Sequence, residues 1–534
     1  MKHSKIKKQI IIAIVTIIIC LISHFLIQPR IFLKPEHKGS YIFIRFLFLI
    51  FIYSIINGIL YFINKYKHDS FYKKWLKYSI IYLIIMIVFL LCLWPGHWVW
   101  DDFSLFSDAI NSRFSLWHSY ITMIYMSFAY MLIPFQSGLI IFQIVIISIL
   151  VGYFISFINE ISNKKIFVII CFLIFLLPAV ILNNFYPMRI VPYSYLLLFA
   201  FVFLYREFLN KSELSFVKFF YIFILSSILL LWRSEGIIFI VFIPILIFVV
   251  YRKNLNVIKI LLIFITLLLT VFMYKKITNY NSYFKLRNDE YGLTIYVNPL
   301  SLMLNDNLKG KNIGKDIKSI NKVLKVDVLK KYPDHHESKA FWTWQVITDD
   351  FQKHLSEFKK AYIDIIINNP FTFLKYRINT FIASSGIEDD YTPLSTGNLT
   401  YYYNDLEVKE WVVDIIKNNS DMHPLNNNLR NTTEKILLGV DENDVLLNKY
   451  YQKIFWNVIP MLLLMLLSLI ISLIKKANLL LLIELSLCAK TIITFLTAPA
   501  SYFMYYLPEY ICAPVLFVIS IIVLRRCKDV KTGN

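Results

Sequence analysis

Apolar runs of about twenty residues recur almost from end to end of this chain, and a run of that length matches the hydrocarbon thickness of a bilayer. One or two such stretches can be buried in a soluble core, but a dozen cannot. The composition agrees. Of the 534 residues, 58% are hydrophobic and 17% charged, with a mean hydropathy of +0.60, whereas an average soluble chain is roughly 45–50% apolar and about 25% charged. The expected class is an all-α polytopic membrane protein, which excludes a cytosolic enzyme, a nucleic-acid-binding domain and a disordered hub.

The formal charge is +20, and its distribution matters more than its size. Residues 1–275 and 455–534 carry all the excess, while 276–454 is neutral. Short basic loops stay cytoplasmic and a long neutral segment can translocate. The lysine-rich start, the loop 63–77 and the tail with Arg525, Arg526, Lys528 and Lys531 are therefore expected in the cytoplasm, with 95–117 and 276–454 outside. No basic patch stands apart from these loops, so anchoring to anionic lipid is expected rather than a nucleic-acid partner. The first apolar stretch lacks a small-residue cleavage site and reads as a retained anchor. None of the six cysteines lies in 276–454, so that region is expected to fold without disulfides.

Thirteen candidate spans emerge at 9–28, 41–62, 78–94, 118–134, 138–158, 165–182, 187–206, 216–232, 236–251, 257–275, 455–474, 477–497 and 506–524. Seven of them lie between the basic loops 63–77 and 251–259, where an even number is required. Either one of the seven is not a full crossing or another is hidden. The weakest are 165–182 and 187–206, split by Asn183-Asn184-Phe185-Tyr186-Pro187, and the pair split by Arg233-Ser234-Glu235-Gly236. In the soluble-looking region, 340–364 and 371–383 have helical patterning, the first ending before Asn369-Pro370 and the second suited to the membrane surface. Residues 386–444, with 12 acidic and 4 basic side chains, read as an irregular solvated lobe.

The stretch with most chemical content is Trp98-Val99-Trp100-Asp101-Asp102-Phe103. Phe103, Phe106 and Ile110 recur at helical spacing, which predicts a short interfacial helix with its apolar face down and the two aspartates at its start. A helix start stabilises a carboxylate, so capping is one reading. The other is a base or cation ligand facing a lipid-linked substrate. Arg233 and Glu235 stand two apart between apolar segments, so they would not face each other on a helix. A helix break that offers Arg233 to an anion competes with a water-facing hairpin. Arg189 is another cation at a span boundary, and Glu484 and Lys490 lie within one apolar span. His335-His336-Glu337 reads as a solvated loop. Nucleotide-binding glycine loops, HExxH and GxSxG are absent from the sequence.

Taken together, a span, an external loop with an acidic pair, a run of spans, a large external domain and closing spans resemble the GT-C superfamily of integral membrane glycosyltransferases. Trp98-Val99-Trp100-Asp101-Asp102-Phe103, Trp117-His118-Ser119-Tyr120, Arg233-Ser234-Glu235-Gly236 and Ala498-Pro499-Ala500-Ser501-Tyr502 look more closely like an uncharacterised family of polytopic membrane proteins from Gram-positive (Firmicute) bacteria. The resemblance covers most of the chain in layout and four short motifs in residue detail. It implies a polyprenyl-phosphate-linked sugar as donor, transferred on the outer face to an envelope glycan or lipid. It further implies Asp101 or Asp102 as the catalytic carboxylate, with a slight lean to Asp101, and Arg233, Arg189 and Lys490 as cations for the donor phosphate. His97, Trp100, His118, Glu235, Tyr502 and Tyr506 are expected to line the substrate. The acidic pair permits a divalent cation (Mg or Mn) without demanding one. Two competing readings are a lipid-carrier or polysaccharide transporter, which predicts inverted repeats that are not visible, and a non-catalytic envelope assembly protein.

Overall fold

The computed structural model of the chain describes residues 2–31, 38–114, 117–162, 164–253, 255, 257–336, 338–387, 412, 416–439 and 449–529. These residues are almost wholly helical, and their one β feature is an antiparallel bridge between Leu324 and Ile347. The first group of helices runs α1 (Lys2–Ile31), α2 (Lys38–His68), α3 (Ser70–Leu93), α4 (Trp100–Ile110), α5 (Tyr120–Leu132), α6 (Gly138–Ser162), α7 (Lys165–Phe175), α8 (Pro178–Asn184), α9 (Ile190–Leu209), α10 (Phe216–Leu231), α11 (Phe239–Tyr251) and α12 (Val257–Thr278). Seven shorter helices follow: α13 (Ser282–Tyr291), α14 (Thr294–Met303), α15 (Ile313–Asn321), α16 (Val326–Lys331), α17 (Lys339–Trp342), α18 (Phe351–Asn368) and α19 (Pro370–Ser384). The chain closes with α20 (Asn427–Leu438), α21 (Lys449–Phe455), α22 (Ile459–Ile474), α23 (Asn478–Thr497) and α24 (Leu507–Asp529).

Ten helical segments among the described residues are long and apolar enough to cross a membrane, eleven if the bent pair α7–α8 counts as one. A helix is the natural form for such sequence, because every backbone polar group is satisfied within the segment. Each of the thirteen apolar runs read from the sequence is helical, but they are not equivalent. Helices α7 and α8 meet at 57°, where Pro178 at the first turn of α8 has no N–H to continue the preceding ladder. Helices α5 and α10, with 13 and 16 residues, are not extended by a neighbouring turn to membrane length, as α11 and α22 are.

Helices α3 and α6 pack antiparallel. The missing Cβ of Gly152 lets Ser79 close onto α6, and Trp75 donates its indole N–H to the Ile149 carbonyl at 2.8 Å. At the other end, Gly96, just past α3, sits against Ile140 near the start of α6. The chain between them therefore leaves and re-enters the bundle at one end. Helix α5 lies within that excursion. Its first residue, Tyr120, donates its backbone N–H to the Tyr274 hydroxyl oxygen at 3.1 Å, near the end of α12, and its last turn leads directly to Gly138. The suspected weak pairs behave otherwise. Tyr82, midway along α3, donates to the Phe175 carbonyl of α7, and α8 ends where His97 N–H meets the Phe185 carbonyl. Helix α10 runs from the Lys218–Glu207 ion pair to Trp232, whose indole N–H reaches Thr122. The segment 118–134, not 165–182 or 216–232, is thus the one whose two ends stay together.

Two apolar cores form. The larger joins the bundle helices, and the smaller, built from Leu293, Val297, Leu300, Ile320, Leu324, Phe351, Phe358, Ile365 and Phe373 among others, belongs to α14–α19. Helix α18 stops at Asn368 and Asn369 starts the turn into α19, as Asn-Pro predicts. The expected helix 340–364 is interrupted at 343–350, where Lys325 N–H pairs with the Val346 carbonyl and Thr348 N–H with that of Val323.

The solvated lobe expected at 386–444 needs correction where it is described. Val412, Ile416, Met422 and Leu437 are buried in the larger core, and Arg430 of α20 is fully enclosed. Its guanidinium donates to the carbonyls of Leu93, Trp94 and Gly96 and pairs with Glu434 at 2.9 Å. A helix end leaves carbonyls unpaired, and this arginine satisfies those of α3. Residues 388–411, 413–415 and 440–448, the rest of that lobe, lie outside the described residues, as do Glu337 and Lys531.

Candidate functional site

Helix α4 begins at Trp100, as the sequence predicts, but its apolar face meets protein. Phe103, Leu105, Phe106 and Ala109 are buried in the larger core, with the Trp98 ring tilted against Phe103 and edge-on to Phe106. Burying each phenylalanine contributes about 1.5–3 kcal/mol, so the helix is held as part of the bundle rather than floating on lipid.

That fixation separates the two aspartates. Asp102, in the third position of the helix, turns back to accept the Val99 N–H at 3.2 Å and is 1% exposed. This is the carboxylate half of a helix-start cap. Asp101 points the other way, into a cavity of ≈1030 Å³ that is also lined by Ser104, Asp108, Trp117, His118 and Tyr280. Its carboxylate has no hydrogen-bond or ion-pair partner among the described residues. It is open to the cavity but enclosed by protein on its other sides. That enclosure pushes its carboxyl above the usual range, with Arg189 pulling the opposite way.

Arg189 lies at the turn before α9 and makes no side-chain hydrogen bond or ion pair among the described residues. Its charge acts on Asp101, His118 and Arg233. His118 also lines the cavity, and its buried Nδ1 has no partner among the described residues. Burial, reinforced by Arg189 and Arg233, holds the imidazole well below its usual value and hence neutral.

Arg233 and Glu235 do form an ion pair, Nε to Oε1 at 2.8 Å. The two-residue spacing allows it because Arg233 is extended and a 3-10 turn, Ser234–Ile238, follows. Gly236 is required there, since a Cβ would run into the Leu229 carbonyl. The helix break expected from sequence is present. Among the described residues Arg233 is engaged through Nε, and its guanidinium lies 5.8 Å from the Tyr505 ring. Asp101, His118, Arg189, Arg233 and Tyr505, from five separate places in the chain, thus share one electrostatic neighbourhood.

The remaining expected residues lie elsewhere. Lys490 is fully buried and paired with Glu509 of α24 at 3.0 Å, although its charge still acts on Glu235. Glu484 bonds to Ser468. His97 is fully buried beneath the loop, stacked on Tyr186 at 4.9 Å and 3.4 Å from Glu434. Tyr506 packs on Phe381 inside the core, whereas Tyr502 is half-buried and stacks on Tyr505. Trp100 opens α4, and its side chain lies outside the described residues. His336 is half-buried and bonded to Ser501 at 3.0 Å, joining the smaller core to the last loop.

Sequence reasoning missed Tyr291 and Trp342, whose rings meet Trp117 at 5.9 and 6.2 Å beside the cavity, and it missed Arg430. Spacing carries no signal for the aromatics. For Arg430 the only hint was a lone arginine four residues before Glu434. As a cation site the acidic pair fits poorly, because Asp102 is committed to Val99, and no cluster of three His, Cys, Asp or Glu side chains suited to a metal occurs among the described residues.

No protein-family model matches this chain, and no curated protein or solved structure matches it either.

Proposed function

We propose that this chain is a membrane glycosyltransferase of the GT-C type, moving a sugar from a polyprenyl-phosphate donor to an envelope glycan or glycolipid at the outer face of the cell membrane. The observation that carries the reading is the Asp101 carboxylate, without a hydrogen-bond or ion-pair partner among the described residues, open to a large cavity and within the field of Arg189. In this mechanism Asp101 takes the proton from an acceptor hydroxyl as its oxygen attacks the anomeric carbon. The bond from that carbon to the donor phosphate breaks, and the electron pair leaves with the lipid phosphate. Arg189 and Arg233 balance the charge on the departing phosphate. Neutral His118 offers a ring nitrogen to a sugar hydroxyl, and no step is routed through a metal.

The orientation belongs to the same reading. The ten membrane-length helices, the bent pair α7–α8 and the sixteen-residue α10 make twelve crossings, with both termini cytoplasmic and the cavity outside. Basic loops support this orientation, as does the return of α5 to the end at which it started, which removes the odd crossing.

The test uses purified protein in nanodiscs with a panel of radiolabelled polyprenyl-phosphate sugars and an envelope extract. Transfer is expected to vanish in Asp101→Asn and to persist, reduced, in Asp102→Asn. No turnover with any donor, together with Asp101→Asn still complementing a deletion strain, sinks the enzyme reading.

A further inference from the structure

Outside the cavity, one surface departs from what water tolerates. Between residues 285 and 384, every exposed large aliphatic side chain among the described residues falls on a single stripe: Ile363, Ile367, Leu374, Ile378 and Ile382, with Phe371 between them. With Phe371 included, they follow one another at steps of four residues with one step of three, the spacing of one helix face. The stripe runs off the end of α18 and continues along α19. Phe371 stands at the elbow between the two helices and is 85% exposed, the highest exposure of any large hydrophobic among the described residues. The elbow is rigid, since Asn369 is buried there and its side chain bonds both to Lys309 N–H at 2.7 Å and to the Lys309 carbonyl at 2.8 Å. The other faces of these helices are spoken for: Phe358, Ala361, Ile365 and Phe373 build the smaller core.

What covers the stripe follows from its neighbour. Arg377 of α19 donates to the carbonyls of Phe495 and Ala498, and Phe381 packs on Phe495. The stripe's far end is thereby fixed against the last turn of α23, a membrane-length helix whose Ile492 and Leu496 are themselves exposed. The end of the stripe therefore lies beside a membrane-length helix with an exposed apolar face of its own, the kind of surface that lipid covers. Lys375 projects beside it, exposed, where a headgroup phosphate would lie.

We infer that the α18–α19 elbow is a membrane wedge: Phe371 and the flanking stripe insert into the headgroup and upper acyl region of the leaflet at the cavity end of the bundle. The occupant is the bilayer, and the wedge holds the smaller domain against that leaflet. This inference is independent of any transferase activity.

The test places a nitroxide by oxime ligation on p-acetylphenylalanine substituted at Phe371, at Ile367 and, as an aqueous control, at exposed Lys318, in nanodiscs holding one full-length copy. Phe371 is almost free of contacts, so its replacement leaves folding intact. At 371 and 367, collision with dissolved oxygen relative to a water-soluble nickel chelate is expected to exceed that at 318 several-fold. A ratio at 371 equal to that at 318 overturns the wedge. Low access of both reagents at 371 overturns it as well, because that outcome means protein covers the elbow.

Discussion

At the scale of single residues, two adjacent aspartates with the same chemistry have opposite fates. Asp102 is used up by the helix start, while Asp101 is left facing the cavity. The direction of the Asp101 shift makes a stability prediction. A carboxyl raised by enclosure is protonated in the folded chain at a pH where it would already be ionised unfolded. Its contribution is present below the unfolded value and is lost as pH rises through the folded one. Asp101→Asn removes that loss. The variant is expected to match or exceed the wild-type unfolding temperature at neutral pH, with the gap closing on acidification, while transfer activity disappears. A thermal-unfolding series across pH checks this, and a lower midpoint for Asp101→Asn at pH 7 contradicts it. The acidic limb of the activity profile is expected to lie above the usual carboxylate range for the same reason.

At the scale of elements, α4 is presented by a clamp that the sequence scarcely advertises. Arg430 on α20 caps α3, holds the loop to Gly96 and meets Glu434 beside His97. Phe185, immediately after the asparagines that end α8, accepts the His97 N–H through its carbonyl. The loop carrying Asp101 and the turn carrying Arg189 are therefore tied together. Removing one partner of such a buried pair costs about 3–5 kcal/mol, because the remaining charge is stranded. Arg430→Met is expected to lower the unfolding midpoint of the purified protein sharply, with partial recovery in Arg430→Lys. An unchanged midpoint in Arg430→Met means α20 does not clamp the loop.

At the scale of the whole molecule, the proposed topology turns on α5, whose two ends lie at one end of the α3–α6 pair. With α5 not counted as a crossing, the basic loops and the proposed twelve crossings agree. Reporter fusions test this directly. Alkaline phosphatase joined after Phe135 is expected to be active, and green fluorescent protein joined after Lys165 to fluoresce. The opposite pair of results would overturn this topology, because it requires either that α5 crosses or that the whole bundle is inverted with the cavity on the cytoplasmic side.

Class, the thirteen apolar helices and the short helix carrying Asp101-Asp102 were legible in the residues themselves, because span length, helical period and helix-start chemistry are local properties. The break at Arg233 was legible for the same reason, since a Gly and two charges between apolar runs interrupt a helix wherever it lies. What only the tertiary structure decided was which neighbours those elements acquire. Hydropathy could not tell the thirteen-residue α5 from a crossing, because both are apolar and the difference lies in where the next helix begins. Neither could it separate Asp101 from Asp102, pair Arg233 with Glu235, commit Lys490 to Glu509 or bury Arg430 in the loop. Each of these depends on contacts between segments far apart in the chain, and local pattern contains no record of them.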